Sequence, residues 1–138
     1  MIINGENQLL GRIGSVVAKK ALEGEEIVIL NCDKVMVSGN RDSILNSNKA
    51  KLHFGKPRWG PFIPRQPFRF VKRGIRNMLP YKNPRGVEAF ARIKCYSKIP
   101  KEFQGKEFDK IPNSSIDKLK LNRYVSVKEI TDTIGGKK

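Results

Sequence analysis

Acids are what the middle of this chain lacks. Between Lys49 and Lys101 there is one, Glu88, against fifteen lysines and arginines. The whole chain of 138 residues carries a formal charge of +15, so this one segment holds nearly all of it. A segment so poor in carboxylates offers no acid–base pair. Histidine is as scarce: His53 is alone, with no His or Cys partner at ligand spacing, so neither a metal site nor imidazole catalysis is expected. The two cysteines, Cys32 and Cys95, form no CxxC and read as buried thiols. No apolar run approaches the roughly 20 residues that cross a bilayer, and no signal-peptide pattern opens the chain, so no membrane association is expected. A Walker A loop is missing. Gly5, Gly11 and Gly14 lie at the first strand-to-helix turn, but Leu9 stands where G-x-G-x-x-G needs its first glycine, and Gly11 and Gly14 read as helix-packing residues. These absences together predict no catalytic residue, no cofactor, no metal and no small-molecule substrate. Asn113-Ser114-Ser115 reads as a polar loop rather than a glycosylation acceptor.

What is present is a cationic path. Proline is rare elsewhere, yet seven of the eight prolines fall within 49–101. Proline fixes φ and removes a backbone donor, so such a path resists regular structure. Charge runs usually mean only a solvated face. Here the near-absence of acids, the frequency of arginine and the interleaved aromatics point instead to a polyanion. Arginine forks onto phosphates and stacks on bases, and irregular RNA is bound through stacking and backbone contacts. RNA is favoured over duplex DNA because no recognition helix or dimer pattern occurs. Lys56, Arg58, Trp59 and Arg65 lie in an aperiodic arm, 56–67. Arg69, Lys72, Arg73 and Arg76 follow at helical spacing. Trp59, Phe62 and Tyr81 suit either bases or packing of the arm onto its own domain.

Periodicity supplies the elements. Residues 1–4 read as a strand, and Leu9 to Leu22 as an amphipathic helix with Gly24 as its C-cap. The continuous run Ile27–Leu30 suits a strand buried on both faces. Strand, helix and strand form a βαβ unit. Lys34–Val37 is a third strand, reached by a hairpin or a bent continuation. Ser38 is placed to cap a polar helix from Asn40 to Phe54 that turns Ile44, Leu45 and Leu52 inward. The next helix spans Phe68 to Leu79, with Phe68, Val71, Ile75 and Met78 on an apolar face. Gly74 inside it costs about 1 kcal/mol of helix propensity, which predicts a close approach there. Asn83-Pro84 starts a helix with Val87, Phe90 and Ala91 inward and a Glu88–Arg92 pair. Ile93–Tyr96 is a further strand. Ser126 caps a last helix to Ile134, ended by Gly135. Residues 1–48 and 102–138 are nearly balanced in charge, so the basic surface is grafted onto an ordinary single domain.

Two stretches are more specific. LLGRIGSVVAKKALEGEEIVILNCDKVMVSGNR (9–41) and RGIRNMLPYKNPRGVEAFARIKCYSKIP (73–100) closely resemble the universal large-subunit ribosomal protein family numbered thirteen. The resemblance covers nearly the whole chain and is denser before Lys101. MLP-x-K-x-x-RG, from Met78 to Gly86, is specific to that family, and the short link between first helix and second strand resembles its archaeal branch. The resemblance implies one domain over 1–138, a three-layer α/β/α fold with a four-stranded, mainly parallel sheet of order 3-2-1-4, and an irregular basic extension. It implies a structural constituent of the large ribosomal subunit in the cytoplasm. Its partners would be large-subunit ribosomal RNA and neighbouring ribosomal proteins, with an early part in assembly and no homo-oligomer. Matched residue by residue, it points to Arg73, Arg76, Lys82, Arg85 and Arg92 as RNA contacts. A free RNA-binding regulator using the same block is the other reading.

Overall fold

In the computed structural model, which describes residues 1–109 and 111–136, the apolar run at 27–30 is the centre of the molecule. Strands β1 (Ile2–Asn4), β2 (Ile27–Leu30) and β4 (Ile93–Cys95) form a parallel sheet of order β1-β2-β4. Ile2 faces Val28 on one side of β2, and Ile27 faces Ile93 on the other. β2 is central because it is the one strand with no polar residue, and Ile27, Ile29 and Leu30 are fully buried. β1 and β4 each carry a polar residue, Asn4 and Lys94, and take the two sides.

Two sequence expectations are corrected. Among the described residues the parallel sheet has three strands, not four, and its central strand is the second, so the order is not 3-2-1-4. The segment expected as a third strand of that sheet leaves it. Asn31 takes a left-handed conformation (φ 53°), and a single 3-10 turn at Cys32–Lys34 redirects the chain. Asn tolerates that conformation better than most residues, and its amide donates to Asn4 Oδ1 at 2.9 Å. The chain then forms β3 (Met36–Ser38), which pairs antiparallel with β5 (Tyr124–Ser126) as a separate ribbon. It is therefore neither a hairpin with β2 nor a continuation of it.

Helix α1 (Leu10–Glu23) connects β1 to β2 and ends on Gly24 at φ 104°. It buries Ile13, Val17 and Ala21. Helix α2 (Arg41–Leu52) is capped by Asn40, whose side chain accepts from the Asp42 N–H at 3.1 Å; Ser38 belongs to β3 instead. Of its three expected inward residues Leu45 is buried, Ile44 half-buried and Leu52 exposed. Helix α5 (Val127–Thr133) is capped by Ser126, as its sequence indicates, through a bond from the Glu129 N–H at 3.2 Å. Among the thiols, Cys32 is fully buried and Cys95 half-buried. The Cys95 thiol beside it, together with burial, pushes the Cys32 thiol well above its ordinary range.

Candidate nucleic-acid interface

Helix α3 (Pro67–Arg76) begins with proline in its first turn, where a missing N–H costs nothing. Val71 and Ile75 are fully buried and Phe68 half-buried. The helix stops at Arg76, three residues short of the expected end, and Met78 and Leu79 continue in turns ahead of Pro80. The turn exchanges their roles: Leu79 is buried, whereas Met78 is 43% exposed. Met78 still touches the domain. A Cβ on Gly14 would lie 2.8 Å from its sulfur, so Gly14 is a packing glycine.

With its apolar side fixed, α3 turns Arg69, Lys72, Arg73 and Arg76 into one cleft of about 480 Å³, closed by Phe62, Ile63, Pro64 and Phe90. Three of the four cations lie on rings. Lys72 Nζ is 4.7 Å from the Phe90 ring centre, and the Arg76 guanidinium is 4.9 Å from that of Tyr81. Arg69 stands 5.8 Å from the Phe68 ring. Such contacts hold a cation in place while leaving its N–H groups for another acceptor. Arg76 Nε is buried and has no hydrogen-bond partner, and a buried donor without a partner costs free energy. Arg73 donates to the Phe62 carbonyl at 2.8 Å, which ties the arm to α3.

Helix α4 (Pro84–Ala91) follows Asn83, with proline again in the first turn. Its expected inward set is corrected. Gly86 and Ala89 are buried, Phe90 is half-buried, and Val87 and Ala91 face solvent. The cause is Gly86, where a Cβ would stand 2.0 Å from the Pro80 carbonyl oxygen. The helix backbone lies directly on that turn, and Gly86 and Ala89 face inward.

The remaining predicted residues fall in four places. Lys56, Arg58 and Trp59 lie on a tight turn closed by bonds from the Trp59 and Gly60 N–H groups to the Lys56 carbonyl, and all three are exposed. Trp59 is 86% and Phe62 73% exposed, so the arm's rings are not packed into the domain. Arg65 is away from the α3 cleft and leans toward Gly135. Lys82 and Arg85 are exposed around the start of α4. Arg92 is engaged within the protein: it donates to the Ala21 carbonyl at 3.2 Å and lies 3.5 Å from Glu88. Phe90 is the cleft wall that sequence reasoning missed. The signal was there, because Phe90 follows Gly86 by four residues and shares its side of the helix.

Residues 1–102 match the family model described as Ribosomal protein L13. The chain belongs to this family. The L13 motif from Met78 to Gly86 spans the turn that joins α3 to α4 and the first three residues of α4, and its glycine is the one that meets Pro80. Archaeal relatives extend the match beyond residue 102. The chain is 36% identical over 135 residues to the large ribosomal subunit protein uL13 of Archaeoglobus fulgidus, covering 97% of this chain and 86% of the relative. It is 41% identical over 140 residues to the uL13 of Methanocaldococcus jannaschii, covering 99% and 98%, and 35% identical over 136 residues to that of Methanococcoides burtonii, again covering 99% and 98%. L13 is a structural rather than an enzymatic family. Among the described residues no cluster of His, Cys, Asp and Glu is arranged to hold a metal ion, and no helix is long and apolar enough to cross a membrane.

Proposed function

We propose that the protein is a structural constituent of the large subunit of the cytoplasmic ribosome, that it binds large-subunit ribosomal RNA, and that it joins early in assembly beside other ribosomal proteins. The observation that carries this reading is the α3 cleft: four cations held on one helix, aromatic walls, and no acid among its lining residues. Guanidinium groups so placed fork onto phosphate oxygens, and the walls accept bases. Lys56, Arg58, Arg65, Lys82 and Arg85 extend the cationic surface on either side, and the exposed Trp59 ring offers a face for a base. Membership of the L13 family supplies the ribosome as the setting.

Replacing Arg69, Lys72, Arg73 and Arg76 together by glutamine tests it. Glutamine keeps helix propensity and removes four positive charges. The variant is expected to keep its fold and to fail to co-sediment with large subunits at moderate salt. A folded variant that enters subunits normally overturns the assignment to α3 and passes it to Lys82 and Arg85. A parent protein that binds RNA but never co-sediments with large subunits is instead a free RNA-binding regulator.

A further inference from the structure

The α3 cleft does not end at α3. It shares Ile63, Pro64 and Arg73 with a neighbouring depression. That one shares Leu10 and Gly74 with a third, floored by α1 and α3. The third shares Arg12, Ser38 and Leu119 with a final cleft of about 550 Å³. The four depressions therefore adjoin in series, tracing the course of a groove across the molecule whose far end lies outside the basic block.

That far end is cationic, although the tail is nearly balanced in charge. Residues 118–123, Lys-Leu-Lys-Leu-Asn-Arg, contain no acid, and α1 brings Arg12 beside them. Lys118, Lys120, Arg123 and Arg12 all line the cleft, with no carboxylate among its lining residues. Two of the nearby acids are occupied. Asp117 accepts from the Ser115 hydroxyl at 2.6 Å, and Glu129 pairs with Arg41. Arg12 and Lys118 are steadied by Asn113, through its carbonyl and its Oδ1 respectively. Lys120 and Arg123 make no side-chain hydrogen bond or ion pair among the described residues.

Two of the residues lining the path between the two ends are glycines that the fold does not need. Gly11 and Gly74 are helical, without positive φ. A Cβ on Gly11 would meet nothing within 4 Å, and one on Gly74 would touch the Leu10 side chain at an ordinary 3.4 Å. Neither strain nor packing calls for glycine, and glycine in a helix interior is unfavourable. A chain lying in the groove supplies the reason, since any side chain there would stand in its path.

We infer that this groove carries one continuous segment of single-stranded RNA, gripped by α3 at one end and by Arg12, Lys118, Lys120 and Arg123 at the other. The inference rests on the RNA-binding reading above and adds a second phosphate site to it. Rings at one end and guanidinium forks at both suit a polymer of alternating bases and phosphates better than an acidic peptide.

The test titrates the full chain with labelled oligouridines of about 4 to about 16 nucleotides, the range that single-strand grooves occupy. Parent affinity is expected to rise with length until the groove is filled. The double variant Lys120→Gln and Arg123→Gln should bind the shortest oligomers as the parent does. On the longest its log–log salt slope should fall by about 1.4, at roughly 0.7 for each of two lost phosphate contacts. Gly74→Gln, which adds bulk without charge, should make long oligomers bind no better than short ones. Circular dichroism confirms that both variants are folded. A double variant with the parent's slope and length dependence overturns the second site while leaving the α3 reading intact. So does polyglutamate that competes at the far end better than long oligouridine, which would make that end a protein-docking surface. A parent that binds neither oligouridine nor ribosomal RNA sinks both readings at once.

Discussion

Gly86 and Arg92 show how single residues in a basic segment divide between building the fold and serving its surface. Gly86 stands where a Cβ would collide with the Pro80 carbonyl oxygen and carbon, at 2.0 and 2.4 Å. Backbone atoms cannot step aside as a flexible side chain can, so α4 itself would have to move. Gly86→Ala is expected to destabilise the protein by about 1–3 kcal/mol, the usual range for overpacking, read as a lower denaturation midpoint at unchanged m-value. Arg92 carries a charge of the right sign for RNA, but its guanidinium is already turned to Ala21 and Glu88. Arg92→Gln should lower the melting temperature while leaving affinity for ribosomal RNA nearly as in the parent. A large loss of affinity with unchanged melting would return Arg92 to the RNA surface.

At the scale of the element, α3 separates its two jobs by face. Ile75 and Val71 are fully buried, and Ile75→Ala should cost roughly 2–5 kcal/mol through lost transfer free energy and the cavity left behind. Its cations make no ion pair among the described residues, and charge changes on such a face usually alter stability little. The quadruple glutamine variant should therefore melt close to the parent, unlike Ile75→Ala. Thermal unfolding of both variants side by side checks the division. If the glutamine variant is the less stable one, the ring-stacked cations are structural. The early end of α3 matters to the same surface. Because the helix closes at Arg76, the following turn can bring Tyr81 beneath that arginine, at 4.9 Å.

For the whole molecule, charge asymmetry sets the expectation. The chain is balanced except across the middle third, where it carries nearly all of its +15. Ribosomal RNA held by this surface should be released steeply by salt, with a log–log slope of roughly −0.7 for each phosphate neutralised on single strands. Several of the α3 and arm cations contacting phosphates together would give a slope of several units. Binding measured from low to moderate potassium chloride checks it. A nearly flat dependence would mean that apolar docking, not phosphate contact, holds the protein in place.

The elements followed from local chemistry. Proline in the first turn of α3 and α4, Gly24 after α1 and Ser126 before α5 act through their own φ and donor groups within a few residues, so the sequence alone placed them. The composition of the basic block was legible for the same reason, and the motif from Met78 to Gly86 carried the family. What the local sequence left open was which strand pairs with which. The left-handed Asn31 and the turn after it sent β3 to β5, some ninety residues away, and no short-range pattern encodes a pairing over that distance. Nor did spacing reveal that Pro80 lies against Gly86 and rotates α4, or that Arg92 is spent on α1. The far cleft is the same kind of fact. Its far cations come from α1 and from 118–123, segments that look ordinary by charge and become one surface only when the chain is folded.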